Sequence, residues 1–406
     1  MSLGHGASVV RNGLVFHYDT YNTEKSWKGA PATNLITQGN SNNISSYARA
    51  AGTSVTTDQI PMPREVLKYS GTKTLADIAS NASAFWLAYT GGPALTQGQQ
   101  VMISWYVYGV TSTSLNFGWG GAHQGNLSSF TVNLLTGAVT NLSLVSGETY
   151  AVSKEDGGWW RISCSTTMTN GTACYPQLNS GAGSFSACGL QFELGKVVSR
   201  YLIGTRSNTQ ALIDLTKNNT ITANSLTYNN NGTFSFNSAS SNYASINPVT
   251  LTNSSYTVEA FIKRDSINAT HGILSDVQYS WWTFFVNSSN KLNMYHARNN
   301  VYAVNSIAGA TSISTEWTYV AAVFDKNVGL SVYVNGQLDG SNTNTVVFDL
   351  SAGRGPQYIG LSKTDAAGVL SNPFNGSISN IKLYNRSLSS TEIKQNFEAL
   401  RGRYGI

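Results

Sequence analysis

Trp281 and Trp282, adjacent in "SDVQYSWWTFFVN", are the residues of this sequence best suited to holding a ligand. Consecutive strand residues point to opposite faces, so one of the pair faces a core and the other can face a groove. Tyr295, His296, Arg298 and Tyr302 follow in "LNMYHARNNVY". Aromatic plates beside imidazole, amide and guanidinium groups suit a sugar ring, whose C–H faces stack on π-faces while its hydroxyls take hydrogen bonds. Trp119 and His123 in "FGWGGAHQGN" form a second, smaller grouping of the same kind. The competing reading is that these aromatics pack sheet against sheet or against another subunit.

Other chemistries find little support. The five histidines are dispersed, with no HxH or HExxH pair, and there is no GxSxG elbow, so neither a metalloprotease nor a serine hydrolase is indicated. Glu155-Asp156 in "KEDGGWW" reads as a solvated turn, and Glu193 in "LQFELG" is a lone strand acid. The Gly-rich loop after Trp119 lacks the Lys-Ser/Thr that a phosphate loop requires. Cys164, Cys174 and Cys188 are an odd set with no CxxC. They are either buried free thiols or one bridge with one leftover thiol, and zinc is not expected.

The elements that must position these residues are strands. "SYTVEAFIKRD" and "EWTYVAAVFD" alternate apolar and polar residues, and "GLSVYVNGQLDG" carries an Asn335-Gly336 hairpin signal. "FNGSISNIKLYN" is a last strand. Ser389 and Glu392 then stand at capping-box spacing before a helix whose Ile393, Phe397 and Leu400 share one face. Farther upstream, "QQVMISWYVYGV", "SLNFGWGG", "SFTVNLLTGAV", "GGWWRISCSTTM" and "CGLQFELG" are short, β-rich and bounded by Gly, Asn or Ser. Trp105 and Trp160 in this part are spaced much as Phe261 and Trp317 are in the other, a repeated layout without a clean sequence repeat.

The expected fold is therefore all-β: two antiparallel β-sandwiches of jelly-roll type, a short N-terminal adaptor and a short C-terminal helix. The boundaries read as residues 1–45 for the adaptor, 46–205 for the first sandwich and 206–406 for the second. The 406 residues suit two domains. Only 11% are charged, against about 25% in an average soluble protein, while 41% are hydrophobic, so the chain folds and presents small neutral polar groups. The net charge of +5 includes no basic run, which argues against nucleic-acid binding. No apolar run is long enough for a transmembrane helix, and "MSLGHGASVVRNG" shows no Sec-type signal pattern.

From about residue 208 onward, "YTVEAFIK", "EWTYVAAVFD", "LSVYVNG", "YIGLS" and "FNGSISNIKLYNRSLSSTEIKQNF" resemble the concanavalin A-like, laminin-G-like jelly rolls. "GGWWRIS" and "LQFELGKVVSRYLIGT" look like the carbohydrate-binding-module-type jelly rolls of phage tail and fibre proteins. The opening "GLVFHYDTYNTEKSW", joined to both, resembles structural proteins of tailed phages. The resemblance implies a non-enzymatic virion protein of a fibre, tail, neck or capsid decoration, made in the host cytoplasm. Its expected partners are further copies of itself, with a trimer as the first expectation, other virion proteins, and host-surface glycans. A secreted bacterial carbohydrate-binding lectin is the alternative.

Enzymes of the resembling family carry closely spaced acids such as E-x-D-x-x-E on one strand, and this pattern is missing here. No cofactor is expected. Laminin-G-like folds often hold a structural calcium, for which Asn237, Asn375 and nearby carbonyls are the candidates, with Asp276 or Asp365 supplying charge from a loop.

Overall fold

The computed structural model describes residues 8–22, 25–29, 31–36, 47–49, 54–56, 61–64, 66, 77–80, 85–89, 95–120, 128–168, 175–180, 183–202, 204–229, 233–238, 242–247, 249, 251, 255–276, 282–298, 301–347, 356–361, 363–364 and 370–406. It is all-β apart from a few short helical turns and the closing helix Ser390–Leu400. The chain forms two compact units. One joins Met1–Ala30 to Ser207–Ile406, and the other is Pro31–Arg206. The second is thus an insertion within the first.

Among the described residues, the inserted unit is a sandwich of two six-stranded antiparallel sheets. Its longest strands, Gln100–Gly109, Trp160–Thr167 and Gly183–Leu194, lie side by side. Trp105, Phe117, Phe130, Ile162 and Phe192 fill its core. The "NLLTG" segment turns on Asn133, whose Oδ1 accepts the N–H groups of Leu135 and Thr136. Gly137 follows at φ +76°, where a Cβ would collide with the Trp160 ring. Cys164 and Cys188 are buried and neither is in a disulfide, and burial pushes the Cys164 thiol up to about 12. Cys174 lies outside the described residues.

Among the described residues, the outer unit pairs an eight-stranded sheet with a seven-stranded one. In the first, strand Tyr256–Arg264 lies between Thr318–Asp325 and the closing strand Gly376–Tyr384. These strands are buried on both faces because both faces are covered, the helix-side face including buried polar groups such as Glu259 and Lys382. Val320, Ala322 and Phe324 point into the inter-sheet core, while Tyr319, Ala321 and Val323 point the other way, against the closing helix and the C-terminal residues. The Asn335-Gly336 turn takes positive φ at both residues, as a two-residue hairpin requires.

The N-terminal stretch is not a separate adaptor. Strand Leu14–Asp19 pairs antiparallel with the closing strand, Asp19 opposite Asn380 and Leu14 opposite Tyr384. Phe16 and Tyr18 enter the same core as Trp282 and Phe324. The capping box is present, with the Ser389 side chain accepting from the Glu392 N–H and the Glu392 carboxylate accepting from the Ser389 N–H. Ile393 and Leu400 are buried as expected, while Phe397 is only half-buried. Asn396, missed in the sequence, is fully buried; its amide donates to Glu259 and Tyr384 and accepts the Val10 N–H. Glu259 also holds the ammonium of Lys382 at 2.7 Å, both side chains out of solvent.

Candidate functional site

The eight-stranded sheet is covered by the helix on one face and by the core on the other, so the remaining face of this sandwich is the outer face of the seven-stranded sheet. Its strands run in the order Ile221–Asn224, Tyr243–Ile246, Gln357–Ile359, His271–Asp276, Trp282–Val286, Lys291–Arg298, Val301–Ser312. Alternation decides what that face shows. Ile221, Ala244, Ile246, Ile359, Leu274, Trp282, Phe284, Leu292 and Met294 point inward, so the residues between them point out.

The ladder register aligns the outward residues in a row across the whole sheet. Thr222 is opposite Ser245, Ser245 opposite Tyr358, and Tyr358 opposite Ser275. Ser275 faces Thr283, Thr283 faces Tyr295, and Tyr295 faces Ser306. Every member of the row carries a hydroxyl, and none carries a charge. Tyr358 and Tyr295 stand half-buried on either side of Ser275 and Thr283, which are 1% and 4% exposed. Tyr243 packs beside Tyr358 with ring centroids 5.3 Å apart, and Phe285 meets Tyr295 edge-on at 5.5 Å. The face therefore carries two aromatic clusters with buried hydroxyls between them.

The polar groups are held unequally. Thr283 hydrogen-bonds the Tyr295 hydroxyl, which lowers a Tyr295 pKa that burial raises by more. The Tyr358 phenol is raised by burial, then by Tyr243 and by the Asp276 carboxylate. The Ser275 hydroxyl is buried with no hydrogen-bond partner among the described residues.

Of the residues singled out in the sequence, only Tyr295 belongs to this row. Trp282 is the core member of its pair, 1% exposed and stacked near Tyr256 at 5.7 Å. Trp281 lies outside the described residues, as do His123 and Asp365. The side chain of Arg298, at the end of its strand, lies outside them too. His296 is inward and fully buried. Its Nδ1 is 2.9 Å from the Val346 carbonyl, which can only accept, so Nδ1 carries the proton and Nε2 accepts from the Tyr256 hydroxyl at 2.7 Å. Trp119 is 8% exposed in the inserted unit's core, edge-on to Phe192. Trp282, His296 and Trp119 are thus packing residues rather than parts of a ligand platform. The row itself was missed because its seven members come from seven strands whose spatial order is not their chain order.

The calcium candidates do not converge. Phe236 pairs with Gly376, which sets Asn237 and Asn375 side by side at a strand end. There the Asn375 N–H donates to His271 Nδ1 and its side chain donates to Ser266. Asp276 is at the opposite end of strand His271–Asp276, about 17 Å away at ~3.4 Å per residue, and accepts from Gln357. The two amides thus lack the carboxylate a hard dication needs, and these residues do not fit one calcium site. Among the described residues, no group of three or more His, Cys, Asp or Glu side chains could hold a metal. Most described acids of this unit have structural partners: Asp19 pairs with Arg403, Glu259 with Lys382, Glu392 with Arg386, and Asp214 receives the N–H groups of His17 and Thr216. Among the described residues, no helix is long and apolar enough to cross a membrane.

Residues 237–394 match the family model described as the Concanavalin A-like lectin/glucanases superfamily. That span carries a concanavalin A-like, laminin-G-like domain. No curated protein sequence matches significantly. Among solved structures, one similar chain is the Ruminococcus gnavus IT-sialidase CBM40 bound to α2,3-sialyllactose. It is 19% identical, with a TM-score of 0.31 over 35% of this chain and 81% of that one. Another comes from a study of botulinum neurotoxin type C, whose cell entry depends on interaction with two ganglioside molecules. It is 17% identical, with a TM-score of 0.38 over 48% of this chain and 50% of the other. The binding domain of Paraclostridial Mosquitocidal Protein 1 is 13% identical, with a TM-score of 0.38 over 46% and 49%.

Proposed function

We propose that this chain is a non-catalytic, saccharide-contacting structural protein of a tailed-phage particle, with the outer face of the seven-stranded sheet as its contact surface. The half-buried tyrosines Tyr358 and Tyr295, three strands apart on that face, carry the reading. Tyrosine faces stack on the C–H faces of pyranose rings, and neutral hydroxyls exchange hydrogen bonds with sugar hydroxyls without the desolvation cost of a charge. The concanavalin A-like match over residues 237–394 supports it. A non-enzymatic role is in keeping with the carboxylates engaged in caps and ion pairs.

The phage placement rests on the likeness of the leader to phage structural proteins and on the order of the two sandwiches. Self-assembly, with a trimer as the first expectation, belongs to the same reading. Side chains of Asn342, Asn344 and Asp339 bond the free edge of strand Val301–Ser312, so assembly through that edge is not expected.

Binding of the purified chain to an array of bacterial surface glycans tests the reading. Tyr295→Ala and Tyr358→Ala should each lose at least about tenfold in affinity, about 1.4 kcal/mol, with unchanged circular dichroism. Folded variants that bind like the parent would remove this face as the site. Immunogold labelling of particles with an antibody to the chain tests the placement.

A further inference from the structure

We infer that Lys382 and Asn396 join in an amide bond inside the folded chain, a cross-link between the closing strand and the closing helix for which Glu259 carries the protons. The inference is independent of the saccharide reading and needs no ligand, since every reacting group belongs to this chain.

The three side chains meet beneath the helix. Glu259 and Lys382 stand opposite each other on the paired strands Tyr256–Arg264 and Gly376–Tyr384, and cross-strand partners share a face. Asn396 comes down on them from helix Ser390–Leu400. All three are fully buried. The Glu259 carboxylate holds the Lys382 ammonium on Oε1 at 2.7 Å and the Asn396 amide nitrogen on Oε2 at 3.0 Å. One carboxylate thus carries an amine on one oxygen and an amide on the other. The Tyr319 hydroxyl donates to Oε2 at 2.6 Å and fixes that group in place. At the other end of the amide, Asn396 Oδ1 accepts the Val10 N–H at 2.7 Å.

Each contact has a part in aminolysis of the amide. The Lys382 proton crosses its hydrogen bond to Glu259, which leaves a lone pair on Nζ. Nζ then adds to Asn396 Cγ, and the carbonyl electron pair moves onto Oδ1, where the Val10 N–H stabilises it. The Glu259 carboxyl group passes a proton to Nδ2 and takes a second one from Nζ. The Cγ–Nδ2 bond breaks and ammonia leaves. An ammonium, a carboxylate and a primary amide have become a secondary amide, a carboxylic acid and ammonia, with no oxidant and no co-reactant. Burial favours this direction. A buried ion pair is costly to keep out of water, and the reaction replaces it with neutral groups. Burial also holds amine and amide together and keeps competing water out.

The test is the intact mass of the full chain in denaturant. It should be lighter than its sequence requires by one ammonia, and tandem mass spectrometry of a digest should find one branched peptide joining Lys382 to Asn396. Lys382 should stay unlabelled when the unfolded chain is treated with an amine reagent. Glu259→Gln should slow closure by at least about a hundredfold. Asn396→Ala, which lacks the acyl group, and Lys382→Arg, which keeps a cation but no amine nucleophile, should each show the full sequence mass. Asn396→Ala chains keep the ion pair, and the cost of breaking that pair is read in them. A parent chain at full sequence mass would overturn the inference, whatever the variants do. So would loss of a water in place of ammonia, which would join Lys382 to Glu259, or an ammonia loss that persists in Lys382→Arg, which would mark a succinimide at Asn396.

Discussion

Acid should unfold the outer unit selectively, and its histidines set the pH window. His271 and His296 are buried there, His17 is partly buried, and all three are held below the ordinary histidine value and so neutral in the folded state at pH 7. Burial, then the Arg264 charge, lowers His271 to about 4, and burial lowers His296 to about 4 against its bond to the Val346 carbonyl. His271 is fixed further by geometry. Its Nδ1 accepts the Asn375 N–H, so a proton added there would point at another donor. Burial, then Lys382 and Arg403, hold His17 well below the ordinary value.

An unfolded chain takes up these protons near pH 6.5 and the folded one does not. Stability is therefore complete above that value and falls as pH drops from about 6.5 toward 4. For a shift from 6.5 to about 4, going from pH 7 to pH 5 costs about 2 kcal/mol per histidine, so about 4 kcal/mol for His271 and His296 together. That is a large fraction of a typical domain stability of about 5–15 kcal/mol. Glu392, lowered to about 2 chiefly by Arg386, contributes in a different window, since its share is lost only below about pH 4.5. Urea unfolding of the full chain at pH 7, 6 and 5, with the two units resolved as separate transitions, measures the effect. His271→Asn, whose Oδ1 can take over from Nδ1 as acceptor, should remove about a third of the pH dependence, since His17 and His296 keep theirs. A drop below about 1 kcal/mol between pH 7 and 5, or an unchanged slope in His271→Asn, would refute the reasoning.

Three further outcomes follow from packing. Glu259→Ala leaves the Lys382 ammonium buried without its partner and should cost about 3–5 kcal/mol in urea unfolding, whereas Glu259→Leu with Lys382→Met should recover most of that loss. Phe397→Ala should cost only about 1–2 kcal/mol, below the ~3–5 of a fully buried ring, because Phe397 sits half-exposed between Tyr319 and Gly336; a thermal-melt series reads it. Gly137→Ala should lower the inserted unit's melting transition by several degrees while sparing the outer unit, since the added Cβ meets the Trp160 ring and φ is +76°.

What the sequence revealed was local. The alternation in "SYTVEAFIKRD", the Asn335-Gly336 turn and the Ser389/Glu392 box depend on neighbours within a few positions, and each appears as read. What it concealed depends on partners far along the chain. "GLVFHYD" was legible as a strand but not as the strand that pairs with Gly376–Tyr384, because no local pattern encodes a partner more than 350 residues away. Trp282 and His296 looked like ligand groups because their residue types bind sugars. Facing is set by register, and register puts both on the core side with Tyr256. Tyr295 was legible as an outward aromatic. Ser275 and Thr283 were not, because nothing marks an isolated hydroxyl until its neighbours across the sheet are known.

The insertion explains why the leader was assigned to no domain. Within the outer unit, Trp27 bridges to Leu212 and the Lys28 N–H donates to the Ala211 carbonyl, so the two ends that leave and re-enter it are already neighbours. Within the inserted unit, Thr33 pairs with Thr205 and Ala32 with Arg206, so its first and last strands are neighbours as well. A unit whose termini meet can be placed in another chain at the cost of closing one loop, a cost that grows only slowly with the length inserted. Val10, Asp19 and Tyr18 bond to Asn396, Arg403 and the Ile378 carbonyl, which completes the outer sandwich across the whole sequence. The leader is therefore a required part of the sandwich that presents the hydroxyl row, and its removal should unfold that sandwich rather than merely detach an arm.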